Sequence, residues 1–136
     1  MAVLTYNDRL RNLLENVECV LAFDTAADFL GLTNGGYRPV AQIFVNKKQN
    51  IEGTEQILVP SLAALESEER NGLVCTTVNR TIIDLLEQNG DEQIITESLA
   101  NYYDEHDGSF EGLKIPGHLQ EKFKKYCAWA MEYYEE

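Results

Sequence analysis

NGLVCTTVNRTIIDLLEQNG, residues 71–90, decides how this chain folds. Asn71-Gly72 is the strongest short signal for a two-residue hairpin turn. It follows a charged run and leads into the apolar Leu73-Val74-Cys75. The spacing predicts a ragged strand near 65–70 and a firmer one at 73–76, paired through the turn. Thr77 then stands where a helix N-cap belongs, with Val78, Ile82, Leu85 and Leu86 at helical spacing behind it and Gly90 at the stop.

Working outward, Asp91 opens a further helix whose inward face is Ile94, Ile95, Leu99 and Tyr102 or Tyr103. DEHDGSFEG is an acidic loop. Pro116 suits the start of a last helix, along which Leu119, Phe123, Tyr126, Cys127, Ala130 and Tyr134 recur. Toward the N-terminus, VAQIFVN (40–46) reads as a buried strand and TEQILVP (54–60) as a second, joined by the polar turn KKQNIEG. TNGGYRP is a loop. Ahead of it, FDTAADFLGL predicts a helix capped by Asp24 and stopped at Gly31. Thr5 opens a first helix with Tyr6, Leu10, Leu13, Leu14 and Val17 on one face. The order gives an α+β fold: a small, mostly antiparallel sheet of 3–4 strands flanked by N-terminal and C-terminal helices.

The 136 residues fit one domain, residues 1–136. With 44% hydrophobic and 25% charged residues, the composition is that of a globular protein. The balance of 11 basic against 23 acidic residues, a net charge of −12, repels phosphate backbones and argues against direct nucleic-acid binding. Cys19, Cys75 and Cys127 match no metal spacing and read as buried, reduced thiols of a cytoplasmic protein. No apolar run reaches membrane-spanning length, and the first residues do not resemble a signal peptide.

Four successive segments carry a resemblance. DTAADFLGL, VAQIFVN, TEQILVP and RNGLVCTT leading into TTVNRTIIDLLE resemble, in that order, the AbiEi-type antitoxins of abortive-infection, type IV toxin–antitoxin systems. The likeness covers roughly residues 20–105 and matches the domain that follows their DNA-binding winged helix. Only about 20 residues precede it, so the winged helix is expected to be absent. The resemblance implies a regulatory or antitoxin domain acting on a nucleotidyltransferase-like toxin.

Arg80 stands in the first turn of its helix, where a positive charge opposes the helix dipole. It reads first as half of an internal ion pair with Asp24 or Asp84, the latter at i+4. A grip on a partner's carboxylate or phosphate is the functional alternative. From Thr81 to Gly112 there are nine acidic residues and no Lys or Arg. The plain reading is a solvated surface; the sharper one is an electrostatic face for a basic protein partner, either a toxin or a nucleic-acid-binding protein. Arg80, Asp84, Asp91, Glu92, Asp104, Glu105, Asp107 and Glu111 are the candidate partner-binding residues. Carboxylates spaced on helices also imitate DNA phosphates, so the alternative function is an acidic mobile-element inhibitor that occupies the nucleic-acid site of a defence enzyme.

No nucleotide-binding glycine loop, nucleophile elbow or zinc spacing is present, and DEHDGSFE lacks the alternation of a calcium loop. A non-enzymatic protein without cofactor or metal is expected. Lys122, Lys124 and Lys125 balance acids at 121 and 132. Trp129, Met131, Tyr133 and Tyr134 cannot all face one core, which leaves room for a homodimer contact.

Overall fold

The computed structural model describes residues 6–33, 40–88 and 91–135; for residues 6, 7 and 133–135 it describes the backbone alone. The elements run α1 (Tyr6–Leu14), β1 (Val20–Leu21), α2 (Phe23–Phe29), β2 (Ala41–Val45), β3 (Thr54–Leu58), β4 (Ser67–Arg70), β5 (Leu73–Thr76), α3 (Val78–Gln88), α4 (Glu92–Glu105), a 3-10 turn (Gly117–Leu119) and α5 (Gln120–Glu135). The fold is α+β. Its sheet has five strands in the order β3-β2-β1-β5-β4 and is mixed, which corrects the expected 3–4 mostly antiparallel strands.

Two features account for the difference. The central strand β1 is only two residues long and buried on both faces, so it carries neither alternation nor length. It pairs antiparallel with β2 and parallel with β5. β2 and β3, expected as successive strands joined by a turn in a mostly antiparallel sheet, are parallel, with Ala41 opposite Thr54 and Val45 opposite Leu58. Parallel neighbours are usually joined by a longer crossover. Here residues 46–53 suffice, because eight extended residues reach about 28 Å and a five-residue strand is only about 17 Å long. The Gln56 amide pins this crossover: its Oε1 accepts the Gln49 N–H at 2.8 Å and its Nε2 donates to the Gln49 carbonyl at 2.9 Å.

The hairpin forms as its sequence predicts. Arg70 pairs with Leu73 across Asn71-Gly72, whose φ values of 52° and 85° are both positive, as a type I′ turn requires. β4, at the sheet edge, is Ser-Glu-Glu-Arg, a charged sequence that discourages edge-to-edge pairing.

α2 lies between sheet and helices. Ala26 and Phe29 pack with Leu10 and Leu14 of α1 on Leu21, Ile43, Val45 and Cys75 of the sheet. Ala27 meets Ile82, Leu86, Ile95, Leu99 and Ala130 of α3–α5. Small residues on both sides of α2 let these layers approach. Asp24 is not its N-cap; that place belongs to Ala22, which makes no side-chain cap. α2 ends as expected: the Gly31 and Leu32 amides return to the Asp28 and Ala27 carbonyls. The opposite sheet face carries Val20, Ala22 and Phe44, covered by Val59, Leu62 and Leu65 from the β3–β4 connection.

Leu13 is exposed rather than inward-facing. Thr5, Gly90 and the Tyr134 side chain lie outside the described residues. Pro116 precedes the 3-10 turn, so α5 begins at Gln120.

Candidate functional site

α3 starts on a dense set of threonine contacts. Thr77 Oγ1 accepts the Arg80 N–H and donates to Glu66 Oε2, so it caps the helix and ties it to the β4 strand entry. The hydroxyls of Thr76 and Thr81, both fully buried, meet at 2.6 Å and join the end of β5 to the first turn of α3. Asn79 faces the other way: its Nδ2 donates to the Lys114 carbonyl and its Oδ1 accepts the Lys114 N–H, fixing the 106–116 strap on α3.

Of the two expected partners, Arg80 pairs with Asp84. Arg80 Nε donates to Asp84 Oδ1 at 2.8 Å. The Asp84 side chain is 8% exposed and that of Arg80 35%. Asp84 Oδ2 is buried without a hydrogen-bond partner. Burial raises the Asp84 carboxyl above the usual carboxylate range; the hydrogen bond and charge of Arg80 oppose this, and Glu87 and Glu66 add to it. Arg80 and Asp84 line a cleft of about 310 Å³ with Phe23, Phe44, Glu87 and Gln88. Phe23 has φ 50°, an outlier for an aromatic residue, and its ring centroid lies 5.6 Å from that of Phe44.

The remaining candidate residues fall into two groups at opposite ends of α4, a helix of about 21 Å. At the N-terminal end Asp91 caps the helix through the Gln93 N–H, and Glu92 Oε1 accepts from the Tyr126 hydroxyl. Both acids there favour the helix dipole and serve the fold. At the C-terminal end Asp104 and Glu105 occupy the last turn, which itself holds no basic residue; His106 follows at the C-cap. Asp107 and Glu111 follow in the loop, and all four are exposed and make no ion pair among the described residues.

The loop that carries them is tightly built. His106 stacks on Tyr102 at 3.8 Å, and its Nδ1 lies 2.8 Å from the Tyr102 carbonyl. Tyr102 donates its hydroxyl proton to the Glu111 carbonyl at 2.6 Å. The Gly108 N–H returns to the Tyr103 carbonyl. A Cβ on Gly112 would lie 2.8 Å from Tyr102 Oη, so glycine is required there.

Elsewhere Lys122 Nζ donates to the Leu86 carbonyl near the end of α3, and Lys125 lies 4.8 Å from the Trp129 ring centroid. Trp129 and Met131 are exposed. Cys75 and Cys127 are buried as expected, whereas Cys19 is only half-buried; desolvation pushes the thiols of Cys19 and Cys75 up to about 11 and that of Cys127 to about 12. Among the described residues, no group of three His, Cys, Asp or Glu side chains is placed to hold a metal ion, and no helix is long and apolar enough to cross a membrane.

The sequence flagged Arg80 and Asp84 but not Phe23, Phe44, Glu87 or Gln88 as their neighbours. Phe44 reads as part of a buried strand, and Phe23 carries no signal of its own. Phe44 in fact belongs to the second face of the sheet, whose burial depends on the unpredicted β3–β4 cover. No family model, curated protein or solved structure matches the chain.

Proposed function

We propose that the protein is a non-enzymatic interaction domain that regulates or neutralises a basic protein, with Asp104, Glu105, Asp107 and Glu111 as the core of its contact surface. The observation that carries this reading is the placement of Asp104 and Glu105 at the negative end of the α4 dipole, in a turn that holds no basic residue. Each such charge costs roughly 0.3–1 kcal/mol, so fold stability does not explain their presence. The tyrosine-braced loop holds the backbone that carries the neighbouring carboxylates in place beforehand, which limits the ordering cost of binding. The resemblance to AbiEi-type antitoxins supports a toxin or defence protein as the partner class.

A second reading draws on the same carboxylates. As an acidic inhibitor from a mobile element, the protein would place them where a defence enzyme holds nucleic-acid phosphates.

Pull-down with the tagged full chain from its host extract, at low and at high salt, tests both. One basic, toxin-like protein released by salt supports the first reading. A nucleic-acid enzyme displaced by added DNA favours the second. Recovery of nothing but the chain itself overturns both and leaves a homo-oligomer.

A further inference from the structure

We propose that the cleft between Phe23, Phe44 and α3 receives an arginine side chain of the basic partner, with Asp84 Oδ2 as an acceptor for its guanidinium. The inference rests on reading the protein as a partner-binding domain and assigns that partner a second anchoring point.

A carboxylate oxygen that is buried and meets no donor is uncommon, because the lost hydration goes uncompensated. Asp84 has one such oxygen, while the other is held by Arg80. Asp84 is also a wall residue of the cleft, and its Oδ2 is covered there, so an incoming group reaches it with a shift of the surrounding side chains. The ionisable residues of the cleft are Arg80, Asp84 and Glu87, which leaves one negative charge in excess and disfavours an anion. Glu87 Oε1 lies 2.8 Å from His118 Nε2, and Gln88 adds an amide at the rim.

A bare metal ion fits poorly, since no three-ligand group occurs among the described residues. A guanidinium fits on two counts. It carries more donors than an ammonium, one for the single free oxygen Oδ2 and others for the Gln88 and Glu87 oxygens at the rim. It is weakly hydrated and stacks on aromatic faces, and the walls here include two phenyl rings. The rise of the Asp84 carboxyl above the usual range has the same origin: Arg80 alone does not compensate the buried charge.

The test is a ¹H–¹⁵N NMR titration of the full chain with N-acetyl-arginine amide, compared with N-acetyl-lysine amide and the neutral N-acetyl-citrulline amide. Saturable shifts are expected at the Phe23, Phe44 and Asp84 amides for the arginine probe, weaker ones for lysine and none for citrulline. Asp84→Asn should weaken binding about tenfold. Glu87→Gln, at an exposed position, should weaken it by roughly threefold and serves if the first variant does not fold. Equal shifts with citrulline, equal affinity for lysine, absence of saturation, or unchanged binding in both variants would each overturn the proposal. The titration needs no partner, so a failed pull-down leaves it interpretable. A basic partner held equally by wild type and Asp84→Asn would remove the cleft's role and leave the interaction reading intact.

Discussion

Arg80 holds one oxygen of Asp84 and leaves the other buried without a donor. Removing only the arginine, as in Arg80→Met, should therefore destabilise the protein by about 1–3 kcal/mol in urea unfolding at pH 7. Adding Asp84→Asn to it should recover part of that loss, because the uncompensated charge is gone. A double variant less stable than the single one would contradict the pair's described role.

The pH dependence follows from the raised carboxyl. Because Asp84 binds its proton more tightly folded than unfolded, its contribution is fully present below the ordinary value of 3.8 and is lost as pH rises through the folded-state value. The stability of Asp84→Asn relative to wild type should consequently increase as pH rises above 3.8. A flat or falling difference across urea titrations would mean that the carboxyl is not raised.

Gln42 joins β2 to α2. Its Oε1 accepts the Asp24 N–H at 3.0 Å and its own N–H donates to Thr25 Oγ1 at 2.8 Å. The cap that Ala22 cannot supply thus comes from a neighbouring strand. Gln42→Ala should cost about 0.5–2 kcal/mol, the usual worth of a helix cap, as read from a thermal melt. No change would show that α2 needs no such partner.

These contacts mark what the sequence could and could not disclose. Asn71-Gly72, Thr77 and Asp91 act within a few residues of themselves, and the hairpin, the α3 start and the α4 start appear where their chemistry predicts. Gln42 capping α2 and Gln56 pinning the β2–β3 crossover act across 18 and 7 positions through amide groups that carry no periodic signal. The same applies to β1, too short for any pattern, and hence to the parallel pairings of the sheet. Of the candidate site, the Arg80–Asp84 pair was one of the two that the sequence offered, favoured by i+4 spacing; the aromatic walls around it depended on that unpredicted topology.

Gly112→Ala should lower stability by more than about 1 kcal/mol, since φ is 96° and the new methyl would collide with Tyr102 Oη. The Tyr102–Glu111 hydrogen bond should weaken with it, which hydrogen exchange in the 106–112 loop would read as lost protection. Wild-type protection would refute the bracing of this loop.

All three thiols should be slow to react. Burial holds Cys19 and Cys75 near 11 and Cys127 near 12, so little thiolate exists at pH 8. Iodoacetamide labelling followed by mass spectrometry should show slow modification of native protein and complete modification in denaturant. Rapid labelling of any one site would place it in a different environment.

The most direct measurement of the central claim compares wild type with the Asp104→Lys/Glu105→Lys variant, reading melting temperature and partner recovery on the same preparations. The account predicts a melting temperature raised by a few degrees, as the last turn of α4 gains cations at its negative end, together with loss of the salt-sensitive partner. An unchanged or lowered melting temperature, or a partner retained at full strength, would contradict it.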